Sequence, residues 1–84
     1  MKIKDKITFV QNIDIPLKFK YQISNNPEDY LIIEIISVVR SIMGDDLIFY
    51  RHYNDLINEN AFRSFKDFIS IYGDCEIITE EKFK

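Results

Sequence analysis

Ten of the fourteen side chains from Tyr30 to Met43 are apolar, in a chain of only 84 residues. A stretch that greasy must be covered on more than one side, so it dictates what the rest of the chain is for. Its conformation can be argued two ways. Ile32, Ile33, Ile35, Ile36, Val38 and Val39 are β-branched and individually favour sheets. Against that, Glu34, Ser37 and Ser41 recur at three and four residues, which gathers them on one side of a helix. Asn25-Asn26-Pro27-Glu28-Asp29 reads as a helix start, with Asn26 as cap, Pro27 in the first turn and two acids at the positive end of the dipole. Gly44 supplies a stop. The spacing therefore predicts a helix over 30–43, apolar on more than half its circumference. Such a helix requires a second helix beside it or a partner chain, and a homodimer is one expectation.

The strongest alternation lies in residues 13–24, where Ile13, Ile15, Leu17, Phe19, Tyr21 and Ile23 occupy every odd position. That is a strand with one dry and one wet face. Ile7 and Phe9 continue the parity, and Gln11-Asn12 offers a turn, so the chain is expected to open as a β-hairpin with Pro16 near a strand start. LIFYRHY at 47–53 is rich in aromatic and branched residues and reads as a third strand. After Asn54, the apolar positions Ile57, Ala61, Phe65, Phe68 and Tyr72 recur at helical intervals up to Gly73, which predicts a second helix. Cys75 to Thr79 reads as a closing strand and 80–84 as a charged tail. The expected fold is α+β: a two-layer sandwich, with a small, mostly antiparallel sheet and two helices on one face, in the order β-β-α-β-α-β.

One domain, 1–84, is expected from the length, because so short a chain supports a single core. A lone cysteine forbids an internal disulfide and suits a reducing compartment. The start, MKIKDKITFV, alternates charge with apolar residues and lacks the unbroken apolar run of a signal peptide. The Tyr30–Met43 stretch is too short for a membrane span and carries Glu34 and Arg40. A cytoplasmic protein without membrane association is the resulting expectation.

Net charge is −3, and it is unevenly placed. Residues 1–24 are basic, whereas 25–84 carry six basic against twelve acidic residues. A nucleic-acid binder ordinarily shows a basic excess, so nucleic acid is the disfavoured partner. The surface that would serve it is Lys18 and Lys20 with Tyr50, Arg51 and His52, where aromatic rings alternate with cations. Glycines in the pattern of an RNA-recognition strand are missing, and Asp45, Asp46 and Asp55 flank the stretch.

Neither a catalytic group nor a metal or cofactor site is expected. His52 is the only histidine and has no ligand spacing around it. Cys75 lies between Asp74 and Glu76, which disfavour a thiolate. Gly44 and Gly73 read as helix stops rather than a phosphate loop. What remains is acid: Asp45, Asp46, Asp55, Glu59, Asp74 and Glu76. Their usual role is solubility, and their sharper one is electrostatic docking onto a basic protein. The functional expectation is a small, non-enzymatic, acidic protein-binding module. It would act as an inhibitor, immunity protein or phage-type anti-defence protein that occludes a basic partner, such as a nuclease or another nucleic-acid enzyme.

Overall fold

A computed structural model of the chain describes residues 2–76. The class is α+β, with one antiparallel sheet of four strands and two helices. The elements are α1 (Ile3–Lys6), a 3-10 turn at Val10–Asn12, β1 (Leu17–Gln22), β2 (Tyr30–Val39), β3 (Leu47–Tyr53), β4 (Asn58–Ser64) and α2 (Phe65–Tyr72). Strand order in the sheet is β1-β2-β3-β4, a simple meander. The order α-β-β-β-β-α replaces the expected β-β-α-β-α-β.

The largest correction concerns Tyr30–Val39, which is an extended central strand and not a helix. Six of its ten residues are β-branched, and their stiff χ1 angles fit a pleated surface better than crowded helical turns. β3 pairs with residues on either side of Ile36, and β1 adds a second ladder along residues 30–35. The helical-looking spacing of Glu34 and Ser37 has a different origin. Ile35 faces Tyr50 and Ser37 faces Phe49, so Ile36 is an extra residue in a β-bulge. The bulge puts Glu34 and Ser37 on the same side despite their odd separation. The supposed helix start is a turn: Asn26 Oδ1 accepts the Glu28 N–H at 3.0 Å, and the Asp29 N–H reaches the Asn26 carbonyl at 2.9 Å. Asparagine serves both structures through the same side-chain oxygen.

Two other segments depart from expectation. Residues 7–12 do not form the first arm of a hairpin; the chain there leaves α1 and makes the 3-10 turn. The expected helix after Asn54 forms only in its second half. Asn54 Oδ1 accepts from the N–H groups of Leu56 and Ile57, which closes a tight hairpin, and β4 then runs back along β3. Ser64 caps α2 by accepting the Asp67 N–H at 3.2 Å. Gly73 ends the helix as expected, its N–H bonded to the Ile69 carbonyl. At the C-terminal side, Glu76 forms an isolated bridge to Lys2, and the rest of the expected closing strand and tail lies outside the described residues.

Register assigns every strand residue to one of two faces. Leu17, Phe19 and Tyr21 pair with Ile35, Ile33 and Leu31; Ile35 and Val38 pair with Tyr50 and Ile48. These side chains form one cluster with Ile3, Ile7, Val10, Phe68 and Tyr72, so both helices and the N-terminal segment pack on this helix side. Phe19, Tyr50, Phe68 and Tyr72 meet mainly edge to face, with centroids 4.9–6.0 Å apart. Each fully buried side chain of this size contributes about 1.5–3 kcal/mol. The Tyr50 hydroxyl, the buried end of this group, accepts from Arg63 Nε at 2.9 Å.

Candidate functional site

The other face carries Lys18, Lys20 and Gln22 from β1; Tyr30, Ile32, Glu34, Ile36, Ser37 and Val39 from β2. From β3 and β4 it carries Leu47, Phe49, Arg51 and Tyr53, then Asn58, Asn60, Phe62 and Ser64. Among the described residues, no helix packs over it. Its two ends differ.

Near Tyr30 and Tyr53 the face seals itself. Lys20 Nζ sits 4.3 Å from the centre of the Tyr30 ring, and the Arg51 guanidinium lies 4.1 Å from that of Tyr53. Ile32, the pairing partner of both Lys20 and Tyr53, is buried beneath them although it is not part of the main core. Glu34 occupies the middle, 3.0 Å from Arg51 Nη2 and 3.8 Å from Lys18 Nζ. Two cations thus neutralise one half-buried carboxylate, with the stems of the basic side chains covering apolar surface.

Toward the loop of residues 40–46 the face is bare. Ile36 (38% exposed), Val39 (46%), Leu47 (38%) and Phe62 (57%) present apolar surface on three adjacent strands. Val39 pairs with Leu47, and Phe49 pairs with Phe62 at a ring separation of 4.6 Å. The loop itself offers Ile42 and Met43, both with side chains fully in solvent. Asp45 is exposed beside them; the Asp46 carboxylate instead accepts the Ser41 N–H at 2.8 Å and holds the loop. Between the two ends, Ile15, Pro16, Glu34, Ile36, Arg51 and Asn60 line an open cleft of about 480 Å³. Arg51 Nε is buried in this neighbourhood without an acceptor.

The structure divides both sets of residues singled out from sequence. Of the basic set, Lys18, Lys20 and Arg51 share the bare-sided face, whereas Tyr50 and His52 point to the helix side. Tyr50 is buried in the core, and His52 Nε2 is 3.4 Å from Glu59 Oε2. Of the acidic set, Asp45 and Asp46 lie at one end of β3 and Asp55 in the turn at the other. Glu59 is on the helix side of β4. Asp74 is bound by Lys4 at 2.8 Å, with Lys2 at 3.8 Å, and these cations hold its carboxyl below the usual range. Glu76 is bridged to Lys2. The six acids do not form one surface. Ile36, Val39, Leu47 and Phe62, which do, carry no sequence signal until strand register is known.

The lone cysteine is a free, half-buried thiol. Burial, reinforced by Asp74, pushes the Cys75 thiol up to about 11, which suppresses its thiolate at neutral pH. Tyr72 is also raised, by burial first and then by its hydrogen bond with Tyr50. Among the described residues, no three His, Cys, Asp or Glu side chains converge as metal ligands, and no helix is long and apolar enough to cross a membrane. No protein-family model matches this chain, and no curated protein and no solved structure matches it either.

Proposed function

We propose that the chain is a non-enzymatic protein-binding module. It works as a two-layer sandwich whose helix side stabilises the fold and whose opposite face docks a partner through its bare end. The observation that carries this reading is the exposed patch of Ile36, Val39, Leu47 and Phe62 on three adjacent strands. Small monomeric proteins rarely leave such surface uncovered unless it is used for contact. Asp45, with Asp46 behind it, gives the patch an acidic rim. That rim and the overall charge of −3 favour a basic protein as the partner. The activity this surface suits is occlusion, as in an inhibitor or immunity-type antagonist acting inside the cell.

The test compares a captured partner's affinity for the wild-type chain with its affinity for Val39→Asp and Phe62→Asp. A charge placed at the centre of a docked apolar patch should weaken binding at least about tenfold, with the circular dichroism spectrum unchanged. Equal affinity would place the contact elsewhere on the molecule.

A second reading is nucleic-acid binding, favoured by the convergence of Lys18, Lys20 and Arg51 beside Tyr30 and Tyr53 on one face. It ranks lower because Glu34 neutralises part of that charge and the cations already cover both tyrosine rings. Salt-dependent binding of single-stranded RNA, abolished in Arg51→Ala, would promote it.

A further inference from the structure

The outer edge of β4 carries its own pattern, independent of the apolar patch. The Asn54 N–H bonds to the Ile57 carbonyl, and the Phe65 N–H to the Asp46 carbonyl. Both bonds belong to one antiparallel alternation, in which the odd-numbered residues of β4 direct their main-chain groups toward β3. Asn58, Asn60, Phe62 and Ser64 consequently direct theirs outward. Among the described residues no strand pairs with that edge. α2 leaves it, crossing the sheet to place Phe68 and Tyr72 against Phe19 and Tyr21. The edge carries Glu59 and Arg63 but no proline, bulge or lysine along its length.

We infer that β4 pairs antiparallel with β4 of a second copy, about a two-fold axis at Ala61, to give a continuous eight-stranded sheet. The side chains select this register. With Ala61 opposite Ala61, Glu59 of each copy stands opposite Arg63 of the other, on the helix side. Both charges are available: the Glu59 carboxylate is largely in solvent, and Arg63 has no carboxylate partner among the described residues, its Nε being bound to the Tyr50 hydroxyl. Moving the axis to Asn60 or Phe62 separates the charges and sets Arg63 opposite Ala61 or beyond the paired stretch. In the selected register, Asn60 faces Phe62 and Asn58 faces Ser64. These four outward-directed pairs make about eight main-chain hydrogen bonds. Alanine at the axis suits the close approach of a non-hydrogen-bonded pair. The symmetry places the helices of both copies on the same side, so the two apolar patches share one extended face.

Sedimentation equilibrium over a micromolar series should show a monomer–dimer equilibrium. Asn60→Pro removes an outward N–H and should yield a monomer whose melting no longer depends on concentration and matches that of the dilute wild-type chain. Glu59→Arg places like charges opposite each other and should raise the dissociation constant about tenfold, and adding Arg63→Glu should restore it. Amide exchange gives an independent reading on the unaltered chain: Asn60 and Phe62 should become protected as concentration rises. A wild-type monomer throughout, a dimer indifferent to Asn60→Pro, or exchange at Asn60 and Phe62 that ignores concentration would each overturn the pairing. None of these outcomes bears on Val39, so a failure here leaves the partner-docking test standing.

Discussion

Both faces of the sheet carry apolar side chains, but among the described residues only one face is covered by helices. On the helix side, Phe19, Ile33, Ile35, Ile48 and Tyr50 are closed over by Ile3, Ile7, Phe68 and Tyr72. On the other, Ile36, Val39, Leu47 and Phe62 are just as apolar and remain in water. For these apolar residues, exposure follows from the helical cover and not from side-chain type. Two short helices and the N-terminal segment suffice to cover one face, and among the described residues no helix covers the other.

That contrast can be broken most visibly by truncating one aromatic on each side. Phe68→Ala should cost about 3–5 kcal/mol in urea unfolding, as expected for a large cavity, while Phe62→Ala should cost less than about 1 kcal/mol. Comparable losses would mean that the bare face is packed after all. A smaller effect is expected at the join between the helices. A Cβ on Gly73 would collide with the Ile69 carbonyl and crowd Lys4 of α1, so Gly73→Ala should destabilise by about 1–3 kcal/mol.

Next comes a buried polar link that crosses between strands on the helix side. Tyr50→Phe deletes the acceptor of Arg63 Nε and the 3.5 Å approach to the Tyr72 hydroxyl, and should lower stability by about 1–2 kcal/mol. Thermal melts would report it without a change in the near-ultraviolet signature of Tyr72 packing. The smallest effect is with pH. Burial raises the Cys75 thiol from 9.0 to about 11 in the folded chain, so the proton is held more tightly folded than unfolded. Its contribution is complete below pH 9 and disappears as pH rises toward 11. Because the group is only half-buried, about 1 kcal/mol is at stake. A chain with Cys75→Ser should lack that component of the alkaline loss.

The legible parts of the fold are those in which one face is wet. The alternation through Leu17, Phe19 and Tyr21 announces β1, LIFYRHY announces β3, and Phe65, Phe68 and Tyr72 with Gly73 announce α2 and its end, though not its start. β2 was misread because a central strand with apolar neighbours on both faces has no alternation to show, and the bulge at Ile36 substituted a three-residue interval that mimics a helix. β4 was misread for the opposite reason. NENAFRS has little β-propensity of its own and becomes a strand because the Asn54 turn delivers it alongside β3. Its Ala61 falls in helical step with Phe65 and Phe68 across a boundary that only the Ser64 cap marks. The same two strands hide the layout of the outer face: parity aligns Lys18, Lys20 and Arg51, but a helical reading of 30–43 conceals Glu34, the counter-ion of Lys18 and Arg51. The acidic residues looked like a group because they are neighbours in sequence, which β3 separates to opposite ends.

Ile36 has no partner across the ladder, yet the pairing on either side of it is in step: Ile35 with Tyr50, then Ser37 with Phe49. Excising that one position would leave every other residue of β2 on the side it now occupies. The chain thus holds a spare link whose side chain contributes to the outer surface alone, and the contour of that surface can be redrawn there while the interior goes unaltered.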